Sequence, residues 1–532
     1  MHRNQSVNVH QFSMVPKADI PRSSFDRQTS HKTTFDAGYL IPVFCDEVLP
    51  GDTFRLKMTA FARMSTPLFP VMDNLYLESF FFFVPYRLVW TNFVKMMGEQ
   101  DDPGDSIDYS VPQMSCPAGG YSVGTIYDYL GLPTVGQVDV AGVVSHSCLP
   151  LRAYATIWNQ WFRDENLQDS LVVSKGDGPD VASDFALMRR GKRHDYFTSC
   201  LPWPQKGDSV EMPLGLAAPV VRTPNAGTWK AYDGATQTLS AVGSMSVGTA
   251  SFVTGLAGQG LSFDPLGGLF ADLSQATAAT INQLRQSFQI QKLLERDARS
   301  GTRYTESIRA HFGVMSPDSR LQRPEYLGGG RTAVNVSPVA QTSATGAYAS
   351  TPQGHLSGIA TAVAGGHGFS QSFTEHGIVL GMVAVRADLS YQQGLRRMWS
   401  RETRYDFYYP VFAMLGEQAV QNKEIYVRGI PADNLVFGYQ ERWADYRHFP
   451  SMITGLFRST SAGTIDAWHL AQKFTALPVL DDVFIQDTPP LERIIAVGAS
   501  ANGQQFIFDS FFDIRTVRAM PMFSVPGLID HF

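Results

Sequence analysis

The sharpest alternation of apolar and polar side chains is Thr53-Phe54-Arg55-Leu56-Lys57-Met58-Thr59-Ala60-Phe61. Phe54, Leu56, Met58 and Ala60 fall on one side of an extended backbone, and Thr53, Arg55, Lys57 and Thr59 on the other. A period of two predicts a strand with one dry face and one wet face. After a proline-marked turn, Thr66-Pro67-Leu68-Phe69-Pro70, the run Leu75 to Pro85 departs from that rule. Leu75, Leu77, Phe81 and Phe83 share one face; Tyr76, Phe80, Phe82 and Val84 share the other. A strand apolar on both faces does not belong in an antiparallel sheet with one side in water. Its second face needs a cover: another sheet, an insertion or another subunit. Two later runs, Ile378 to Arg386 and Gln504 to Ile514, read as central, doubly covered strands.

Helical periodicity is clearest from Leu151 to Phe162, where Tyr154, Ile157, Trp158, Trp161 and Phe162 form an aromatic stripe suited to packing. Leu88 to Gly98 reads as a short helix stopped by its glycine. Ile281 to Arg299, with Gly301 as stop, and Tyr304 to Phe312 are two more. Residues 1–35 show no sustained period and carry Pro16, Pro21 and an excess of basic side chains. They read as an extended arm that orders where it lies on something; the alternative is a frayed terminus. Pro213 to Thr280 is rich in Gly, Ala, Ser and Thr and reads as an external insertion of short strands and loops. No internal repeat and no linker between compact halves is evident. Strand material at both ends of the chain predicts an antiparallel sandwich or barrel over residues 36–532, with long insertions.

Composition sharpens this picture at one point. Charged residues make up 17% of the 532-residue chain, against about 25% in an ordinary soluble domain, and there are 35 phenylalanines. Such a chain either has a very large core of its own or is covered by other chains. The formal net charge of −6 argues against nucleic-acid binding through a global positive field, leaving local patches. Cys45, Cys116, Cys148 and Cys200 are far apart, with no C-x-x-C pair, and read as buried thiols in a reducing compartment. The N-terminal residues lack the apolar core of a secretory signal, and the densest apolar run, Phe80 to Val84, is too short to span a membrane.

Catalytic patterns are sparse. Gly191-Lys192-Arg193 lacks the glycine spacing of a phosphate loop, and neither H-E-x-x-H nor G-x-G-x-x-G occurs. Gly120-Tyr121-Ser122-Val123-Gly124 matches a nucleophile elbow but follows a loop instead of a buried strand. His194 and Asp195 are adjacent, so on a strand they point apart. The acidic loop Asp101 to Asp108 lacks the spacing of a calcium loop. No metal, cofactor or catalytic set is assigned. Two basic clusters remain: Arg189, Arg190, Lys192 and Arg193, and then Arg396, Arg397, Arg401 and Arg404. Both are interleaved with aromatics, the mixture that holds single-stranded nucleic acid by phosphate contact and base stacking. Inter-subunit ion pairing and a solvated face are the alternatives.

Blocks along most of the chain carry a resemblance. They include Arg22-Ser23-Ser24-Phe25-Asp26-Arg27, Phe35 to Pro42, Pro67 to Asp73, Trp158 to Gln168, Leu201 to Gly207, Gln322 to Gly329, Tyr391 to Leu395 and Phe437 to Trp443. In this order they resemble the major capsid proteins of the gokushovirus branch of the Microviridae, small single-stranded DNA bacteriophages. The resemblance implies an eight-stranded jelly-roll barrel with long insertions, homo-oligomeric assembly into a T=1 icosahedral shell of about 60 copies, and a circular single-stranded DNA genome inside. It implies a surface protrusion at the threefold axes, for which residues 213–280 are the candidate, used in attachment to a host receptor. A small basic DNA-binding protein and a DNA pilot protein are the implied partners, and the virion, assembled in bacterial cytoplasm, the implied location. The competing reading from the residues alone is a carbohydrate-active hydrolase on a β-sandwich.

Overall fold

The computed structural model describes residues 21–210, 322–342, 353–496 and 504–523, helices at 281–300 and 304–312, and short strands between 220 and 271. The chain divides into two compact units, residues 1–204 with 301–532, and residues 205–300.

The larger unit is built on β1 (Ser23–Phe35), β2 (Ile41–Val48), β3 (Thr53–Met64), β4 (Leu75–Pro85), β5 (Glu325–Ala333), β6 (Asn335–Ala340), β7 (Leu356–Ser372), β8 (Gly377–Ala387) and β9 (Phe506–Arg518). They form a five-stranded sheet ordered β1-β9-β3-β7-β6 and a four-stranded sheet ordered β5-β4-β8-β2. Every pairing is antiparallel, and neither sheet is closed. β3 is the strand its alternation predicts: Phe54 through Met64 are buried at every second position, and Arg55, Lys57, Thr59, Phe61 and Arg63 are exposed.

One core lies between the sheets. Phe54, Leu56 and Met58 of β3 and Phe506, Phe508 and Phe512 of β9 meet Leu77, Phe81 and Phe83 of β4 and Val379, Val383 and Val385 of β8. Rings from the two sheets touch directly, with Phe81 5.6 Å from Phe369 and Phe83 4.6 Å from Phe373. Each such phenylalanine contributes about 1.5–3 kcal/mol through burial.

The second face of β4 is covered by the chain itself. Phe82 and Val84, with Ile378, Leu380, Met382 and Ala384 of β8, enter a second core against α1 (Leu149–Ile157). There they meet Leu151, Tyr154, Ile157 and Trp158. The insertion after β4 therefore supplies the cover that the sequence required. After Ile157 the helix widens to a looser turn over Trp158–Phe162, and Arg163 leaves it extended. That turn brings Phe162 edge-on to Phe80 and Phe82, with ring centres 5.2 and 5.9 Å apart.

Two elements differ from expectation. Leu88 to Gly98 is two short helical turns, Tyr86–Val89 and Phe93–Met96. Trp90 between them is fully buried and extended, its indole N–H donating to Asp177 Oδ1 at 2.7 Å. A buried indole needs that acceptor, and the requirement outweighs helical continuity. β9 is covered on one face only: Phe506, Phe508 and Phe512 are buried, while Ile507 and Phe511 are exposed. Within the arm of residues 1–35, Ser23–Phe35 is extended and lies along β9 as an edge strand.

A third cluster joins Tyr196, Phe197 and Cys200 to Val420, Ile425, Phe437 and Phe484. All four cysteines are free; Cys45 is exposed, the others buried. In the smaller unit, Trp229–Asp233 pairs with Thr238–Ala241 and Gly260–Phe263, Val220–Arg222 with Leu269–Ala271, and Ser246–Val247 with Val253–Thr254. A helix, Ile281–Ser300, follows. The rest of the candidate insertion 213–280 lies outside the described residues. The helix read at Tyr304 to Phe312 is present with those bounds.

Candidate nucleic-acid interface

The first basic cluster follows the cover back to the sheets. Arg190 N–H donates to Gly38 O at 2.7 Å, Lys192 N–H to Ile485 O at 2.8 Å, and Asp487 N–H to Arg190 O at 2.8 Å. The segment is thus pinned on both sides, and its side chains reach back over β4. Glu78, nearly buried on that strand, is ringed by four guanidinium groups. Arg190 is in direct contact, with Arg386 at 3.3 Å, Arg193 at 3.5 Å and Arg331 at 3.6 Å. Burial alone would raise the Glu78 pKa, but Arg190 and Arg386 outweigh it and hold the carboxyl below its ordinary value. Burial and the neighbouring Arg190 pull Arg386 down to about 10. A second carboxylate, Asp388, takes Arg193 at 2.9 Å and Arg331 at 3.9 Å.

Arg189 lies 3.9 Å over the Tyr39 ring and donates to the Ala37 and Asp487 carbonyls, each at 3.3 Å. Lys192 is buried; its Nζ donates to Gln472 Oε1 at 3.0 Å and sits 4.0 Å from the Phe484 ring centre. Burial lowers its pKa to about 8 and raises that of the neighbouring Asp487 to about 7. Beside this network opens a cavity of 530 Å³ lined by Phe80, Phe82, Trp161, Phe162 and Tyr326 and by Arg163, Arg190, Arg193 and Arg386.

The second cluster borders another cavity, of 520 Å³. Arg396 lies 4.0 Å over Phe449. Arg397 pairs with Glu424 at 3.0 Å and donates to Ala419 O at 2.8 Å. Arg401 pairs with Asp445 and lies 4.3 Å over Tyr446. Arg404 is exposed, 5.4 Å from the Tyr409 ring centre. Trp399 and Phe449, 71% and 77% exposed, stand at this rim. Burial raises the Glu424 pKa, against the lowering effect of Arg397.

The structure thus keeps the two clusters apart, each with its own cavity. It adds Glu78, Arg163, Arg331 and Arg386 to the first, residues the sequence reading did not single out. The one local signal was a lone carboxylate, Glu78, in an otherwise apolar strand. The weak enzyme motifs resolve plainly. Ser122 is an exposed loop residue, His194 is exposed, and Asp195 accepts from the N–H groups of Phe197 and Thr198 in its own turn. Among the described residues there is no group of three or more side chains suited to a metal ion, and no helix is long and apolar enough to cross a membrane.

Residues 13–528 match the family described as capsid protein (F protein), and the chain belongs to that family. It is a structural capsid protein of the virion and a subunit of an oligomeric shell, not an enzyme; the hydrolase reading finds no support. Among known relatives, capsid protein VP1 of Bdellovibrio phage phiMH2K is 46% identical over 535 residues, covering 99% of each chain. That of Chlamydia phage 1 is 44% identical over 98% of each chain, and that of Spiroplasma virus 4 is 37% identical over 98% of each.

Proposed function

We propose that this chain is the major capsid subunit of a T=1 icosahedral shell around a circular single-stranded DNA genome, with an eight-stranded jelly roll as its wall. The observation that carries the reading is strand order. With β6 set aside as an extra edge strand, the chain visits the five-stranded sheet with β1, β3, β7 and β9 and the four-stranded sheet with β2, β4, β5 and β8. Antiparallel strands that switch between two facing sheets in this way make the double-sheet jelly roll of viral coats. Assembly takes place in the bacterial cytoplasm.

In this reading the DNA strand runs against Arg396, Arg397, Arg401 and Arg404 and against Arg189, Arg190 and Arg193, while buried Lys192 adds field and no contact. A small basic DNA-binding protein neutralises the rest of the genome, which fits a subunit of net charge −6, and a pilot protein accompanies it. Residues 213–280 form the threefold protrusion and meet the host receptor. The test is expression of the full chain and electron microscopy of the product. Uniform T=1 particles are expected; monodisperse monomers under every packaging-like condition would overturn the reading.

A further inference from the structure

We infer that the cavity between β4, the turn 158–164 and the Arg190–Arg193 segment takes one nucleotide unit of single-stranded DNA, its base against Trp161 and Tyr326 and its phosphate against Arg163 and Arg386. The inference rests on the coat reading above and gives it a defined subsite.

The aromatic side is fixed in place. Phe82 lies at the back of the cavity, 5.5 Å from the Trp161 ring and 5.4 Å from that of Tyr326. Trp161 donates its indole N–H to Pro324 O at 2.9 Å, which sets the plane of its ring. Trp161 and Tyr326 are 39% and 44% exposed; the Arg323 guanidinium lies 4.9 Å over the Trp161 ring, so Tyr326 presents the more open surface to an incoming group. A planar base meeting such rings gains stacking energy without regard to its identity.

The polar side is mainly cationic, with Asp164 its one carboxylate among the described residues. Among the described residues, the Nε–H groups of Arg163 and Arg386 are buried and have no hydrogen-bond partner. Arg163 and Arg386 line the cavity together with Arg190 and Arg193, so four guanidinium groups converge on it. The charge count agrees: Arg190, Arg193, Arg331 and Arg386 pair with Glu78 and Asp388, and Asp487, whose pKa burial raises to about 7, is the further carboxyl beside Arg190 and Arg386. A cavity of 530 Å³ falls within the range that encloses small ligands. An anion attached to a planar ring satisfies both sides at once, and a nucleotide is that ligand.

The test uses the purified full chain and a dye-labelled thymidine octamer, with binding read by fluorescence anisotropy across a salt series. Tyr326→Ala and Arg163→Gln are each expected to weaken binding about tenfold, and Tyr326→Phe to restore it. An abasic octamer should bind the unsubstituted chain more weakly and no longer distinguish Tyr326→Ala. Circular dichroism of each variant establishes that it folds. Octamer binding that neither substitution moves overturns the cavity, while leaving DNA contact through Arg396 to Arg404 and the coat reading intact. An acidic peptide, hexaglutamate, competing as well as the octamer would overturn it in favour of a protein partner. Thymidine monophosphate saturating the site as readily as the octamer would make it a free-nucleotide site and overturn the strand assignment. Failure of the full chain to form shells sinks the coat reading by a separate measurement.

Discussion

Two buried polar residues show how much the interior depends on single partners. Arg152 is fully buried and holds Asp180 through Nε at 2.7 Å and Nη2 at 2.6 Å, with Nη1 donating to the carbonyls of Val89 and Gly176. The pair ties the helical cover to the loop beyond it. Hydrogen bonds from Arg152 hold the Asp180 carboxyl below its ordinary pKa although burial pushes it up. Arg152→Ala strands that carboxylate, and a loss of about 3–5 kcal/mol is expected in urea unfolding; a loss within experimental error would show the cover to be held elsewhere. His367 is the pH-sensitive counterpart. Its Nδ1 faces Ser79 Oγ at 2.8 Å and its Nε2 faces Thr332 Oγ1 at 3.0 Å, so one imidazole joins β7 of one sheet to β4 and β5 of the other. Burial lowers its pKa from 6.5. The folded chain then binds fewer protons than the unfolded chain between the two pKa values, so stability falls as pH drops below about 6.5. Unfolding midpoints across the mildly acidic range should show this slope, and His367→Gln should flatten it.

Among the elements, β4 is unusual in being essential on both faces. Phe81 and Phe82 are neighbours that enter different cores. Phe81→Ala and Phe82→Ala should each cost about 3–5 kcal/mol, whereas Phe61→Ala on the exposed face of β3 should change the stability of the isolated chain by about 0.5 kcal/mol or less. Thermal or urea unfolding of the three variants checks the contrast; a small loss at Phe82 would mean that the cover packs only loosely. This double-sided character was legible in the sequence because β4 is apolar at both parities, as was β3 through its alternation. What covers the second face was not legible, since periodicity describes a strand and says nothing about its neighbour. β9 misled for a related reason: Ile507 and Phe511 are apolar yet face outward, and composition does not separate a doubly covered strand from one with apolar exposed positions. The site was half legible. Arg189 to Arg193 stood out as a run, but Glu78, Arg331 and Arg386 come from separate segments that the strand register brings together, and Arg163 is placed by the turn after Ile157. Trp90 defeated the helical reading because its acceptor, Asp177, lies far along the chain.

At the scale of the whole molecule, the chain comprises a two-sheet body and a separate unit of residues 205–300. If that unit carries the surface function, deletion of residues 227–260 should leave the unfolding transition of the body in place while reducing attachment to host cells. Loss of soluble, folded protein would show instead that the segment is needed for folding. In the body, β9 lies between β1 and β3, and β1 reaches the five-stranded sheet only through β9, with Ser23 opposite Arg518 and Phe35 opposite Phe506. An early-synthesised strand therefore has nowhere to dock until a late one has emerged. Loop closure over so many residues is slow. A ribosome product that stops before residue 506 can pair only β3, β7 and β6 in that layer, and leaves the edge of β3 bare. The five-stranded sheet is therefore complete only in a chain that extends through Arg518.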